Sequence, residues 1–488
     1  MPSAVYQPRS PADAILDRIV RDHFETFRLH AAGLRDGEGL PRFVEQAFRD
    51  FLRCGWLAGG FARFHCGGCG FDRLVPFSCK GRALCPSCAG RRMVERAAHL
   101  VDRVLPDVPI RQWVLSVPYR LRYRLAWDHD LCRAVAGVLI RSVSRVLRDR
   151  ARDDGIEDGR GGAVVVIQRF GGALNLNVHF HALVLDGVFA GEPGARSFHP
   201  TGRLTALDAE EVLAAVQPLV ERRLRASGQS DNDDTASDPW TQEAPLLAGL
   251  AAASVQGVTA LGAQAGRGPA RRGNIVAARQ RDGLVSESCA VRANGFSLHA
   301  GLVVPAGQRE RLERVSRYAL RPPVAIERLQ MTEDGRVRLS LRQPWRDGTT
   351  DLVFTPLELL ERLAVLVPRP RVNLILYFGV LGARAAARAE VAGPAWTDAA
   401  RQAATPKETD PAPASIDPAE SRRGGGRNRS WAALMQRTFG LDVLACPRCG
   451  GRLRLIALIE QRTVIERVLG HLRLPTEIPV PRPARPPP

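Results

Sequence analysis

The stretch "GGAVVVIQRFGGALNLNVHFHALVLDG" (residues 161–187) reads as two strands joined by a glycine-containing connection, a hairpin rich in β-branched and apolar side chains. Side chains alternate along a strand. In the second strand Leu174, Leu176, Val178 and Phe180 therefore share one face, and Asn175, Asn177, His179 and His181 share the other. A polar row backed by a wholly apolar one argues against simple burial. The two imidazoles sit about 7 Å apart at the backbone, and their nitrogens can converge on one cation. A lone strand histidine is usually structural, whereas two at this spacing, closing a polar row, read as metal ligands.

Two imidazoles leave a divalent ion open to substrate oxygens, and such an ion can polarise a phosphate. A third ligand is wanted. If "VVVIQRF" pairs antiparallel with the histidine strand, Gln168 stands nearest and its carbonyl oxygen can reach the ion. A neutral oxygen favours Mg²⁺ or Mn²⁺ over a closed zinc site.

Strand and helix patterns alternate around this hairpin. "RQWVLSVP" (111–118) precedes it as a strand, and "DLCRAVAGVLIRSVSRVLRDRARD" (130–153) is an amphipathic helix. Residues 307–320 read as a helix halted by Pro322 and Pro323, and "RVNLILYFGVL" (371–381) as a strand. The chain of 488 residues divides into a helical segment (1–60), a cysteine-rich module (61–98), a large domain (99–390), a linker (391–430), a small CxxC module (431–475) and a disordered proline-rich tail (476–488). The polar run 226–245 reads as a surface loop. No apolar run approaches the roughly 18 residues of a membrane span. The first residues lack a signal-peptide core, so a cytoplasmic protein is expected.

Net charge is +18, and Lys80 and Lys407 are the only lysines among the 69 basic residues. An arginine surplus of this size suits a polyanion partner. Ten cysteines, several in CxxC pairs, point to metal rather than disulfides. Cys66, Cys69, Cys85 and Cys88 carry the spacing of a structural zinc site, with Cys79 and His65 as spare ligands. Arg73, Arg82, Arg91 and Arg92 make the module a candidate DNA-binding knuckle. Cys446 and Cys449 form half a site, either a second metal centre, with His471 the one later ligand, or a tight turn with two buried thiols.

A phosphate-polarising metal needs a nucleophile. Tyr318 ends a helix between Arg317 and Arg321, whose guanidinium groups can grip phosphate and stabilise phenolate. By position alone a packing tyrosine at a helix C-terminus is the stronger reading. Tyr119 and Tyr123, four apart, would pair if helical, but following a strand and Pro118 they read as DNA-contacting or structural.

"FSCKGRALCPSC", "ALNLNVHFHALVLDGVF", "GFSLHA", "YALRPPVAIERL" and "CPRCGGRLR" occur in that order. Together they resemble the insertion-sequence 91 family of transposases over roughly residues 40–475. The resemblance implies an α+β fold: an HUH-endonuclease catalytic domain whose central antiparallel sheet is flanked by helices, with an N-terminal zinc-binding module and a helical C-terminal module. It implies that His179-Phe180-His181 is the HUH motif and Tyr318 the nucleophile. The activity implied is cleavage and rejoining of single-stranded DNA at transposon ends and target through a 5′-phosphotyrosine. Four residues before Tyr318 stands Arg314, so this chain offers one tyrosine where some members have two. No Walker-type loop appears, so unwinding falls to host helicase or replication proteins. Two other readings compete: an Asp/Asp/Glu transposase, for which Asp186 has no matching set, and a zinc-dependent DNA-binding regulator.

Overall fold

The computed structural model describes residues 11, 14–33, 39–226, 238–273, 289–392 and 431–485. Almost all of the expected linker, and residues 227–237 of the expected surface loop, lie outside these. Helices α1 (Ile15–Gly33) and α2 (Arg42–Arg53) precede strands β1 (Phe61–Cys66) and β2 (Asp72–Pro76), helix α3 (Pro86–Arg103) and strand β3 (Ile110–Ser116). Helices α4 (Tyr119–Trp127) and α5 (His129–Asp153) lead to β4 (Gly162–Phe170), β5 (Leu176–Leu185), β6 (Gly187–Ala190) and β7 (Ser197–Pro200). Next come α6 (Ala206–Ala226), α7 (Pro239–Glu243), α8 (Pro245–Gln256), β8 (Ala270–Gly273), β9 (Ala290–Ala293), β10 (Phe296–Val304) and α9 (Arg309–Ala319). They are followed by β11 (Leu329–Met331), β12 (Val337–Ser340), β13 (Thr349–Phe354), α10 (Pro356–Leu366), β14 (Ile375–Gly379) and α11 (Arg388–Val391). The C-terminal segment supplies α12 (Trp431–Phe439), β15 (Leu453–Ile459) and α13 (Arg462–His471). No helix among the described residues is long and apolar enough to cross a membrane.

The fold is mixed helix and sheet, centred on six strands in the order β14-β4-β5-β3-β10-β9. Every neighbouring pair in it is antiparallel. The predicted hairpin is β4–β5, and β5 is buried from Val178 to Leu185 because both faces are covered. Phe180, Ala182 and Val184 join a core with Val135 and Leu139 of α5. Leu183 and Leu185 join Leu100 and Val101 of α3 and Leu312 of α9. His179 and His181 share parity with Leu183 and Leu185, so they face the α3/α9 side.

The structure differs from the expected strand at one end. Leu174 is buried but lies in the connection with φ +57°, and β5 begins at Leu176. The Gly171 N–H donates to the Asn175 carbonyl at 2.9 Å, closing a turn that requires a left-handed residue. Tyr119 and Tyr123 are helical after all, on α4. Tyr123 is structural: its hydroxyl donates to Asp238 and its ring stacks on Trp240 at 4.7 Å. The tail is also more ordered than expected. The Arg482 N–H donates to the Arg21 carbonyl at 2.9 Å and the Arg485 N–H to Thr26 Oγ1 at 3.1 Å. Prolines hold this stretch extended, which leaves its few remaining N–H groups free to bond along α1.

At the far end of β5 a charged pair is sealed in. Arg111 of β3 grips Asp186 through Nε and Nη2 at 2.7 and 2.9 Å, and its Nη1 donates to the Ala300 carbonyl at 2.9 Å. Ala300 lies where the β10–β3 register shifts, so Arg111 takes up a carbonyl near an interrupted ladder. Removing one partner strands a buried charge. Arg111→Ala is expected to cost about 3–5 kcal/mol in urea unfolding, and a loss under 1 kcal/mol would show that the pair contributes little.

Candidate active site and metal centres

The β5 register presents the two imidazoles. Opposite His179 stand Gln168 on β4 and Ser116 on β3; opposite His181 stand Val166 and Val114. The imidazole centroids are 5.0 Å apart. His179 Nδ1 lies 2.9 Å from the Asn177 carbonyl, which can only accept, so Nδ1 carries the proton and Nε2 keeps its lone pair. His181 Nδ1 lies 3.2 Å from the Gln112 amide, which can present either N–H or oxygen on a 180° turn. With the oxygen presented, His181 Nε2 also becomes a ligand atom. Desolvation pushes the pKa of His179 down to about 4 and that of His181 to about 3. Both rings are therefore neutral at physiological pH, the form that binds metal.

Gln168 does two things at once. Its Nε2 donates to the carbonyls of Ala319 at 2.6 Å and Tyr318 at 3.2 Å. Both partners only accept, so the amide orientation is decided, and Oε1 is left buried without a partner. His181 Nε2 is likewise buried and unpartnered. Buried orphans are costly. A hard divalent cation suits an orphaned carbonyl oxygen and neutral imidazole nitrogens, so these residues fit the expected group.

The carbonyls held by Gln168 end α9, which stops at Ala319 because Pro322 and Pro323 cannot continue it. Tyr318 thereby reaches the histidines: its ring meets that of His181 edge-on, centroids 5.9 Å apart, while its side remains 47% exposed. The Arg321 guanidinium lies over the Tyr318 ring at 4.4 Å and over Phe170 at 5.5 Å. Arg317 stands 3.9 Å from Glu313, one turn earlier.

Beside Gln168 and Arg321 opens a cleft of about 410 Å³, bordered by Arg82, Arg92, Arg96 and Tyr377. Arg96 is exposed there, and sequence reasoning missed it. Arg82, expected to contact DNA, donates instead to the carbonyls of Val372 at 2.9 Å and Arg369 at 2.9 Å. Arg92 donates to the Lys80 carbonyl at 2.8 Å, and Arg91 is exposed. Arg73 is buried against the Val443 carbonyl at 2.8 Å. Gln112 was also missed; it reads as one polar residue in an apolar strand.

The expected quartet of Cys66, Cys69, Cys85 and Cys88 does not meet at one point. Cys54, Cys79, Cys85 and Cys88 bring their sulfurs within 4.8 Å of one another, and so, separately, do Cys66, Cys69, Cys446 and Cys449. The reason is the β1–β2 hairpin. It carries Cys66 and Cys69 to its tip, while the chain after β2 returns to its base, where Phe61 pairs with Pro76. There the Cys79 N–H donates to the sulfur of Cys54, just past α2. Cys85 caps α3, its sulfur accepting from the Cys88 N–H at 3.5 Å, at the helix end that favours thiolate. Hydrogen bonds from Cys54 and Cys79 push the Cys88 thiol well below its ordinary range. Four converging sulfurs fit a closed zinc site. His65 is engaged elsewhere, 2.9 Å from Asp72.

Two family models match the chain. A transposase model, Y2_Tnp, covers residues 162–389, and the IS91-type transposase zinc-binding domain covers residues 19–117. The chain is a transposase of the insertion-sequence 91 family. No curated protein and no solved structure matches it. The transposase is thus a DNA-binding, DNA-cleaving enzyme with a structural zinc domain. Its zinc-domain match runs wider than residues 61–98, from α1 to β3, and takes in Cys54. The other match contains both histidines, Gln168 and Tyr318. Cys85→Ser in the transposase is expected to release one equivalent of zinc and lower the melting temperature by more than about 5 °C. Unchanged zinc content by mass spectrometry would exclude Cys85 as a ligand.

Proposed function

We propose that this transposase cleaves and rejoins single-stranded DNA at the ends of its element through a 5′-phosphotyrosine on Tyr318. The observation that carries the reading is the exposed phenol set against the edge of His181, under Arg321 and on a helix end fastened by Gln168. The Tyr318 oxygen attacks the scissile phosphorus as the bond to the 3′ oxygen breaks. The phenolic proton is lost to solvent, and the departing 3′ oxygen takes one up as a free 3′-OH. Arg321 and Arg317 face the charge gathering on the phosphate. His179 Nε2, His181 Nε2 and Gln168 Oε1 would hold Mg²⁺ or Mn²⁺, which supplies Lewis-acid polarisation of the phosphate.

The phosphoester bond is conserved in the enzyme, so joining consumes no ATP: a 3′-OH from another strand reverses the attack and frees Tyr318. With Arg314 in the place of a second tyrosine, one phenol serves successive steps, or two subunits each supply one. The basic cleft suits an unpaired strand, since its arginines track phosphates and the half-buried ring of Tyr377 at its border can accept a base. Unwinding then belongs to host helicase or replication proteins, and the work is done on chromosomal DNA in the cytoplasm. The carboxylate alternative is disfavoured by Asp186, whose two oxygens are occupied by Arg111. Among the described residues no trio of carboxylates converges on a metal position.

Incubation of the full chain with single-stranded end DNA and Mn²⁺ should give a denaturant-resistant adduct that maps to the peptide holding Tyr318. Tyr318→Phe should abolish it while leaving DNA binding intact. An adduct that persists in Tyr318→Phe, or none with the unmodified chain, rejects the reading; the second outcome favours a DNA-binding regulator. Gln112→Ala should weaken Mn²⁺ binding about 10–100-fold by freeing His181 to turn. Equal affinity in a calorimetric titration would remove Gln112 from the site.

A further inference from the structure

The zinc-binding domain accounts for one cysteine quartet. The other joins two turns that are far apart in the chain: Cys66 and Cys69 at the tip of the β1–β2 hairpin, and Cys446 and Cys449 in the C-terminal segment. Cys66 Sγ lies 3.6 Å from Cys449 Sγ, and Cys69 Sγ lies 3.6 Å from Cys446 Sγ.

The two turns are built alike. In "CGGCGF" the Gly70 N–H donates to the Cys66 carbonyl at 2.9 Å and the Cys66 N–H to the Phe71 carbonyl at 2.9 Å. In "CPRCGG" the Gly450 N–H donates to the Cys446 carbonyl at 2.9 Å and the Cys446 N–H to the Gly451 carbonyl at 2.7 Å. The glycine after each CxxC is left-handed, with φ +70° at Gly70 and +72° at Gly450. Each turn therefore aims two sulfurs to the same side.

A strand pairing sets the turns face to face. β15 adds to the edge of β1, with Cys66 opposite Leu453, to form the sheet β15-β1-β2. Space at the junction is tight: a Cβ on Gly451 would stand 3.3 Å from Cys449 Sγ and 3.5 Å from Cys66 Sγ. Cys66 and Cys446 are buried there, while Cys69 and Cys449 are exposed. Four sulfurs with no carboxylate or imidazole among them suit a soft metal such as zinc, and leave no open position for substrate.

We infer that Cys66, Cys69, Cys446 and Cys449 form a second structural zinc centre, split between the two ends of the chain, that clasps the C-terminal segment onto the zinc-binding domain. The matched domain ends at residue 117 and supplies only half of its ligands. Binding Zn²⁺ converts the thiols to thiolates and releases their protons to solvent. The clasp reaches the helix of Tyr318. In the same C-terminal segment, Arg437 of α12 donates to Glu313 of α9 at 2.9 Å and to Asp102 of α3 at 2.7 Å. The inference is independent of how DNA is cut.

Metal analysis of the purified full chain, counting zinc and iron, tests it. Two zinc per chain are expected, one for each quartet. Cys446→Ser with Cys449→Ser should leave one, and Cys132→Ser, outside both quartets, should keep two. One zinc in the unmodified chain, two in the double variant, or iron in place of zinc overturns the assignment. Should the double variant fail to fold, alkylation of the unmodified chain decides. Exposed Cys69 and Cys449 should resist the reagent until a chelator is added. Equal reactivity before and after chelation, or reactivity released only by a reductant, overturns it, the last meaning disulfides.

Discussion

The register of β4 against β5 is the constraint on which the site depends. Gln168 stands opposite His179 because the Gly171–Asn175 turn, with Leu174 in the left-handed region, fixes where β5 starts. A slip of one residue would turn both imidazoles into the α5 core and bring Phe180 to the α9 side. The same register sets Gln168 where its amide N–H groups meet the last carbonyls of α9. One strand pairing thus fixes two candidate ligands, the orientation of a third, and the helix that carries Tyr318.

This arrangement works against stability. His179, His181, Gln112 and Gln168 are all buried between largely apolar layers. Each unpartnered buried atom, such as Gln168 Oε1 or His181 Nε2, costs about 1–3 kcal/mol. The surrounding core tolerates this because β5 is packed on both faces, by α5 on one and by α3 and α9 on the other. Places where local preference is overruled at such cost are where function is to be sought.

Much of this was legible in the sequence, because period-two and helical patterns report local geometry. The polar row ending in His179 and His181, the helix stop after Tyr318 and the hairpin all follow from neighbours within a few residues. What depends on the return path of the chain was not legible. Two CxxC pairs fifteen residues apart suggest one zinc, yet a hairpin lies between them and sends its tip away from its base. Cys54 is a single thiol just past a helix, and Cys446 lies far down the chain from its neighbour Cys69. Spacing carries no information about such partners. Arg82 reads as a solvent-facing cation because the carbonyls that occupy it belong to residues 369 and 372.

The two kinds of donor set also separate by charge. Four thiolates around Zn²⁺ give a centre of net charge −2, closed to substrate and repulsive to a phosphate. Such centres belong in scaffolding, where nearby arginines offset them. Two neutral imidazoles and an amide oxygen would leave a divalent ion its whole charge. Desolvation keeps those imidazoles neutral, with pKa values near 4 and 3. The burial that weakens the fold is therefore what would keep the ion's field undiminished where a phosphate approaches Tyr318, beside Arg321 in a chain of net charge +18.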